Sequence, residues 1–117
     1  MTSYKRGDVV LIPFPFTDLS TVKQRPALIV SSDVFNSENP DMIAIGITSK
    51  VALYRDEPGT YLITGREQSS AGLPKESAIR AGKIVTVDQR LVRRLLGALP
   101  TRAVNKVIDE IHKIITL

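Results

Sequence analysis

The chain contains no cysteine. That removes disulfides, thiolate nucleophiles and cysteine-ligated zinc together, and it fits a reducing compartment. Tryptophan is also absent and aromatic residues make up only 5%, so a core has to be built from Val, Ile, Leu and Ala. There is one histidine, His112. It excludes a histidine-pair ribonuclease mechanism or a histidine-rich metal site within one chain. No glycine-rich phosphate loop, nucleophile elbow or paired-carboxylate motif occurs. Any catalysis therefore rests on Arg, Lys, Thr, Ser or Asp, and neither a metal nor an organic cofactor is expected. No segment approaches the roughly 18 apolar residues of a membrane span. Met1 to Asp8 runs straight into a strand-like segment without an apolar signal core. The expectation is a cytoplasmic protein with no membrane partner.

What is present suffices for one domain. Hydrophobic residues make up 43% of 117, enough for a single core, and a second could not be built from so short a chain. A single domain over 1–117 follows. Sixteen Lys and Arg against twelve Asp and Glu give +4, with a pI near 9.6. A mildly basic domain suits a polyanion such as nucleic acid; the plainer reading is a charge that keeps the protein soluble.

Asp8 to Phe14 predicts a first strand, β-branched and ended by Pro13 and Pro15. Phe16 to Gln24 predicts a long polar loop, the kind that often carries function. Arg25 to Ser32 predicts a second strand with Pro26 at its mouth. Asn36 to Asp41 reads as a turn, and Met42 to Ser49 as a third strand whose Gly46 marks a bulge or a close backbone contact. Lys50 to Gly59 and Gly65 to Gly72 read as loops around a short strand, Tyr61 to Ile63. Ser77 to Arg80 and Lys83 to Val87 read as two further strands. Asp88 caps a short helix over Arg90 to Val92, and Leu95 to Leu99 returns as a last strand. The clearest helix follows Pro100, with Thr101 as its N-cap. Val104, Val107, Ile108, Ile111, Ile114 and Ile115 lie on one face, and Arg102, Asn105, Lys106, Asp109, Glu110 and Lys113 lie opposite. Six or seven short strands and one amphipathic helix imply a mainly β fold, a small antiparallel barrel or curled sheet with a helix across it.

Two residues stand out by position. Arg25 leaves the long loop and precedes a proline, at the rim where a ligand can reach it. Its guanidinium is a five-donor fork that matches phosphate oxygens; alternatively it pairs with a carboxylate such as Asp18. Thr48 ends the third strand beside Ser49 and Lys50. Its hydroxyl can donate to a phosphate, or the residue is there only to pack. His112 belongs on the flank of the helix.

Taken together, Gly7-Asp8-Val9-Val10, Phe14-Pro15-Phe16-Thr17-Asp18 and Lys23-Gln24-Arg25-Pro26-Ala27-Leu28-Ile29-Val30-Ser31 resemble the N-terminal signature of the MazF/PemK family of toxins. Ile47-Thr48-Ser49, Lys83 to Asp88 and Leu96-Gly97-Ala98-Leu99 continue the resemblance in the family's order, over nearly the whole chain. The resemblance implies an SH3-like antiparallel barrel, a homodimer, sequence-selective cleavage of messenger RNA, and an antitoxin partner whose flexible segment covers the RNA groove. It also implies that Arg25 and Thr48 act in cleavage. The first loop contains neither Glu nor His, Asp18 being its one carboxylate, so the resemblance supplies no general base.

On that basis single-stranded RNA is cut by its own ribose 2′-OH, without a metal, leaving a 2′,3′-cyclic phosphate and a 5′-hydroxyl. The expected RNA contacts are Phe14, Phe16, Thr17, Asp18, Lys23, Gln24, Ser49 and Lys50, with Arg55 a further phosphate candidate. Phe14 and Phe16 either stack on unpaired bases or pack under the barrel mouth. Two alternatives stand beside the nuclease: a non-catalytic binding module, and a toxin of the same fold that poisons a DNA gyrase through its terminal helix.

Overall fold

The computed structural model describes residues 3–15 and 22–116. Phe16, Thr17 and Asp18 lie outside the described residues. Six strands form one antiparallel sheet: β1 (Asp8–Pro15), β2 (Val22–Ile29), β3 (Asp41–Thr48), β4 (Thr60–Ile63), β5 (Ser77–Asp88) and β6 (Arg94–Ala98). Their spatial order is β4-β5-β3-β2-β1-β6, so β4 and β6 are the two edges of a curled half-barrel. Helices α1 (Asp33–Glu38), α2 (Val51–Tyr54) and α3 (Gly65–Ser70) interrupt the strands, and α4 (Thr101–Ile115) closes the chain. The expected mainly β fold with one amphipathic helix is what the chain adopts.

The sheet buries both faces. Val9, Leu28, Ile45, Ile47 and Ile79 form one cluster with Ala103, Val104 and Val107 of α4. Val10, Ile12, Ala27, Ile29, Met42 and Ala44 form a second cluster on the other face. Strands buried on both faces carry continuous apolar runs in place of alternation, hence Val9-Val10-Leu11-Ile12 and Ala27-Leu28-Ile29-Val30. The helix presents Val104 and Val107 inward, with Ile108 and Ile111 partly buried beside them. Ile114 and Ile115 remain exposed, although Ile114 still reaches the glycines Gly59 and Gly82 beside and within β5.

Several expected elements differ. β2 begins at Val22, so Lys23 and Gln24 belong to a strand and not to the expected loop. It ends at Ile29; Ser32, expected inside the strand, caps α1 by accepting from the Phe35 N–H at 3.1 Å, and α1 takes in residues 36–38 of the expected turn. The loops after Thr48 and Ile63 contain α2 and α3. Ser77 to Asp88 is one strand: its first part lies between β4 and β3, and its later part continues along β3 after a register shift opposite Gly46. Pro100, not Thr101, is the N-cap of α4. Asp88 does cap the short turn Gln89–Leu91, accepting from the Arg90 N–H at 2.8 Å. The Arg90 guanidinium also holds the Asp88 carboxyl below the usual carboxylate range.

The end of α3 seals the β6 edge. Ser70 Oγ donates to the Ala98 carbonyl at 2.7 Å. A Cβ on Gly97 would lie 2.2 Å from the Ser70 carbonyl oxygen, so only glycine lets the two backbones meet. Tyr61 on β4 holds α3 from the other side, its hydroxyl donating to Glu67 at 2.7 Å. Burial, with that carboxylate as acceptor, pushes the Tyr61 phenol up to about 12.

Candidate active site

Strand alternation puts Arg25 and Thr48 on one face of the sheet. Ala27 lies opposite Gly46, Leu28 opposite Ile45 and Ile29 opposite Ala44. The pairing stops at Ala27 and Gly46; carried two residues further, the same register would set Arg25 level with Thr48. Residues directly opposite in an antiparallel pair share a face. Arg25 also lies opposite Ile12, and Ile12, Ala27 and Ile29 all belong to the second cluster. Ile45 and Ile47 both face the first cluster, so β3 keeps its alternation past Gly46 and turns Thr48 toward Arg25's side. Both residues are partly buried, at the end of the second face where β1 and β3 finish and β2 begins.

Three more residues reach this place. Phe14 lies opposite Lys23 on the same face. The Phe14 ring lies over Gly46: a Cβ built on that glycine would meet Phe14 Cζ at 3.0 Å and Lys83 Cβ at 3.3 Å. Gly46 is thus both a close backbone contact and the position of a register shift, the two readings its sequence context offered. Phe14 packs against the second cluster, the packing role of the two considered for it, and its ring borders the site. Lys83 was read only as a strand opener. Nothing local marked it, because its place depends on the extra residues that β5 carries opposite Gly46. Gln24, next to Arg25 on β2, alternates to the other face and does not join the group.

Thr48 is held in a useful state. Its Oγ1 accepts the Lys50 backbone N–H at 3.2 Å. A hydroxyl has one proton and two lone pairs, so accepting from the backbone leaves the proton to donate to a ligand oxygen. Ser49 and Lys50 follow on the exposed start of the α2 loop. Arg80 fastens that loop to β5. Its guanidinium carbon lies 3.8 Å from the Tyr54 ring centroid, and its Nη2 pairs with Glu57 at 3.4 Å. A cation over an aromatic ring contributes about 0.5–1 kcal/mol or more when partly desolvated.

The group comprises Lys23, Arg25 and Lys83, one hydroxyl and one aromatic wall, on a scaffold of four strands. It suits a phosphodiester: the guanidinium spans two oxygens, the hydroxyl donates to one, and the cations attract the polyanion. His112 is exposed on α4, which covers the other sheet face, so it takes no part here.

An endoribonuclease from a Mycobacterial species, solved in complex with its cognate antitoxin, has the same fold. The TM-score is 0.78 at 20% identity, covering 98% of this chain and 97% of that one. MazF from Deinococcus radiodurans gives 0.79 at 18% identity, with both chains fully covered at 100%. The Mycobacterium tuberculosis toxin MazF-mt6 gives 0.70 at 18% identity, over 92% of this chain and 97% of that one. No curated protein sequence matches. The non-catalytic and gyrase-poisoning alternatives gain nothing from these likenesses. The sequence profile that does match covers residues 5–115, and by it the chain belongs to the PemK-like, MazF-like toxins of type II toxin–antitoxin systems.

Proposed function

We propose that this toxin is an endoribonuclease that cleaves single-stranded messenger RNA at selected sequences, without a metal, by attack of the ribose 2′-OH on the adjacent phosphate. Arg25 and Thr48 are its catalytic residues. What supports the reading is strand alternation, which puts both on the face of the second cluster, and a β2–β3 register that, carried two residues past Ala27 and Gly46, would set them level. Arg25 grips the non-bridging oxygens and stabilises the charge that builds on phosphorus; Thr48 donates its free proton to the same phosphate. Lys23 and Lys83 add positive potential, and Phe14 forms the wall. The 2′ oxygen bonds to phosphorus as its proton passes to solvent water, the P–O5′ bond breaks, and the 5′ oxygen takes a proton from water, giving a 2′,3′-cyclic phosphate and a 5′-hydroxyl.

The protein works in the cytoplasm as a homodimer, and a cognate antitoxin silences it by covering the RNA groove. The antitoxin-bound mycobacterial relative supports the partner. Among the described residues no helix is long and apolar enough to cross a membrane.

Incubation with a long single-stranded RNA and mapping of 5′-hydroxyl ends tests the reading. Discrete ends are expected from the wild type, and a loss of about 10²–10³ in rate from Arg25→Ala, the effect of removing one preorganised donor. Wild-type cleavage by a folded Arg25→Ala protein refutes the assignment. No cleavage by wild type freed of antitoxin refutes the function.

A further inference from the structure

An open cleft of about 580 Å³ begins one residue beyond Thr48, lined by Ser49, Val51, Ala52, Arg55, Lys75 and Glu76. One wall is the α2 segment and the other is the connection from α3 to β5. The volume lies within the roughly 300–1,000 Å³ of sites that hold small ligands. Arg55, Lys75 and Glu76 are exposed. Within the described residues no hydrogen bond or ion pair engages their side chains. Two cations and one carboxylate therefore face the cleft with their capacity for a ligand intact.

We propose that this cleft seats the nucleotide adjoining the scissile phosphate and selects its base. Arg55 and Lys75 take the neighbouring phosphate, Val51 and Ala52 form an apolar floor for the ring, and Glu76 reads the base edge. This assignment rests on the RNA-cleaving reading above. The carboxylate separates the cleft into two parts: it repels phosphate, so the backbone lies toward the cations and the base turns toward Glu76. An ionised carboxylate only accepts hydrogen bonds. Adenine, cytosine and guanine each offer it an amino group. Uracil offers one N–H flanked by two carbonyl oxygens, which the carboxylate repels. The cleft therefore selects an amino-bearing base and rejects uracil. Arg55 and Lys75 contribute affinity without sequence preference, as phosphate contacts do.

Two measurements on the full chain test this. A random-sequence single-stranded RNA pool is cleaved and the bases flanking each new 5′-hydroxyl end are counted. Wild type is expected to disfavour uracil at one position beside the cut by about 5- to 150-fold, the scale of one base contact. Glu76→Ala is expected to erase that bias at that position alone. Binding of a labelled random single-stranded DNA 20-mer, which lacks the 2′-OH, is then followed against salt. The double variant Arg55→Ala/Lys75→Ala should reduce the slope of log K against log salt by about 0.7 for each cation removed. Circular dichroism of both variants, altered only at exposed positions, checks that they fold. If wild type cuts the pool but Glu76→Ala leaves every flanking preference intact, the base assignment is overturned. An unchanged salt slope overturns the phosphate assignment. If wild type does not cut at all, it is the nuclease reading that fails, and the salt slope still reports on the cations.

Discussion

Replacing Gly46 by alanine sets two effects against each other, and the geometry decides between them. Glycine in a strand interior costs roughly 0.5–1 kcal/mol relative to alanine through the freedom it has when unfolded, so the substitution on its own stabilises. The new methyl, however, would stand 3.0 Å from Phe14 Cζ and 3.3 Å from Lys83 Cβ. Both are closer than ordinary carbon contacts of about 3.5–4.0 Å. Phe14 cannot retreat freely, because it packs on the second cluster, whose members Val10, Ile12, Ala27 and Ala44 are fully buried. Overpacking of this kind costs about 1–3 kcal/mol. The net expectation is a loss of about 1 kcal/mol, which lowers Tm by roughly 3–6 °C. A ring displaced by a few tenths of an ångström also moves the wall of the proposed active site, so cleavage should fall by up to about ten-fold. Thermal unfolding and RNA cleavage of Gly46→Ala, Phe14→Leu and the double variant form a double-mutant cycle. Phe14→Leu removes the clashing ring edge, so the coupling should be favourable by about 0.5 kcal/mol or more. A Gly46→Ala protein that melts at or above wild type, with unchanged activity, refutes the claim that Phe14 presses on this glycine.

Gly97→Ala should be worse, since the new Cβ would meet backbone 2.2 Å away at Ser70 and has no flexible side chain to displace. We expect a loss of about 3 kcal/mol and a Tm lower by roughly 10 °C or more; wild-type melting would show that α3 does not seal the β6 edge. An RNA oligonucleotide carrying deoxyribose only at the scissile position should bind and resist cleavage, and its cleavage at the normal rate would exclude 2′-OH attack. Excess EDTA should leave the rate of RNA cleavage unchanged; a rate abolished by EDTA and restored by a divalent cation would overturn the metal-independent mechanism.

Legibility followed locality. The apolar runs of β1 and β2, the Asp88 cap and the inward face of α4 are each set by residues within one or two turns of one another, and all were readable along the chain. The short helices were not. α1, α2 and α3 have six, four and six residues, too few for helical periodicity to emerge or for an isolated helix to persist. They form because tertiary contacts hold them: Asn36 on Tyr4 for α1, Arg80 on Tyr54 for α2, Tyr61 on Glu67 and Ser70 on Ala98 for α3.

The same division applies to the site. Arg25 before Pro26, and Thr48 at a strand end, were marked by local sequence and by family resemblance. That the two side chains share one face follows from the β2–β3 register, which pairs residues far apart in the chain. Lys83 enters only because β5 carries extra residues opposite Gly46, and the cleft of Ser49, Arg55, Lys75 and Glu76 only because α2 and the α3–β5 connection are brought side by side. Sequence by itself determined which segments become strands, which helix face is apolar and which residues can do phosphate chemistry, because side-chain pattern and local hydrogen bonding act over a few residues. Tertiary structure alone decided which of those residues meet, because that depends on pairing register and sheet curl, and both are set by contacts between distant parts of the chain.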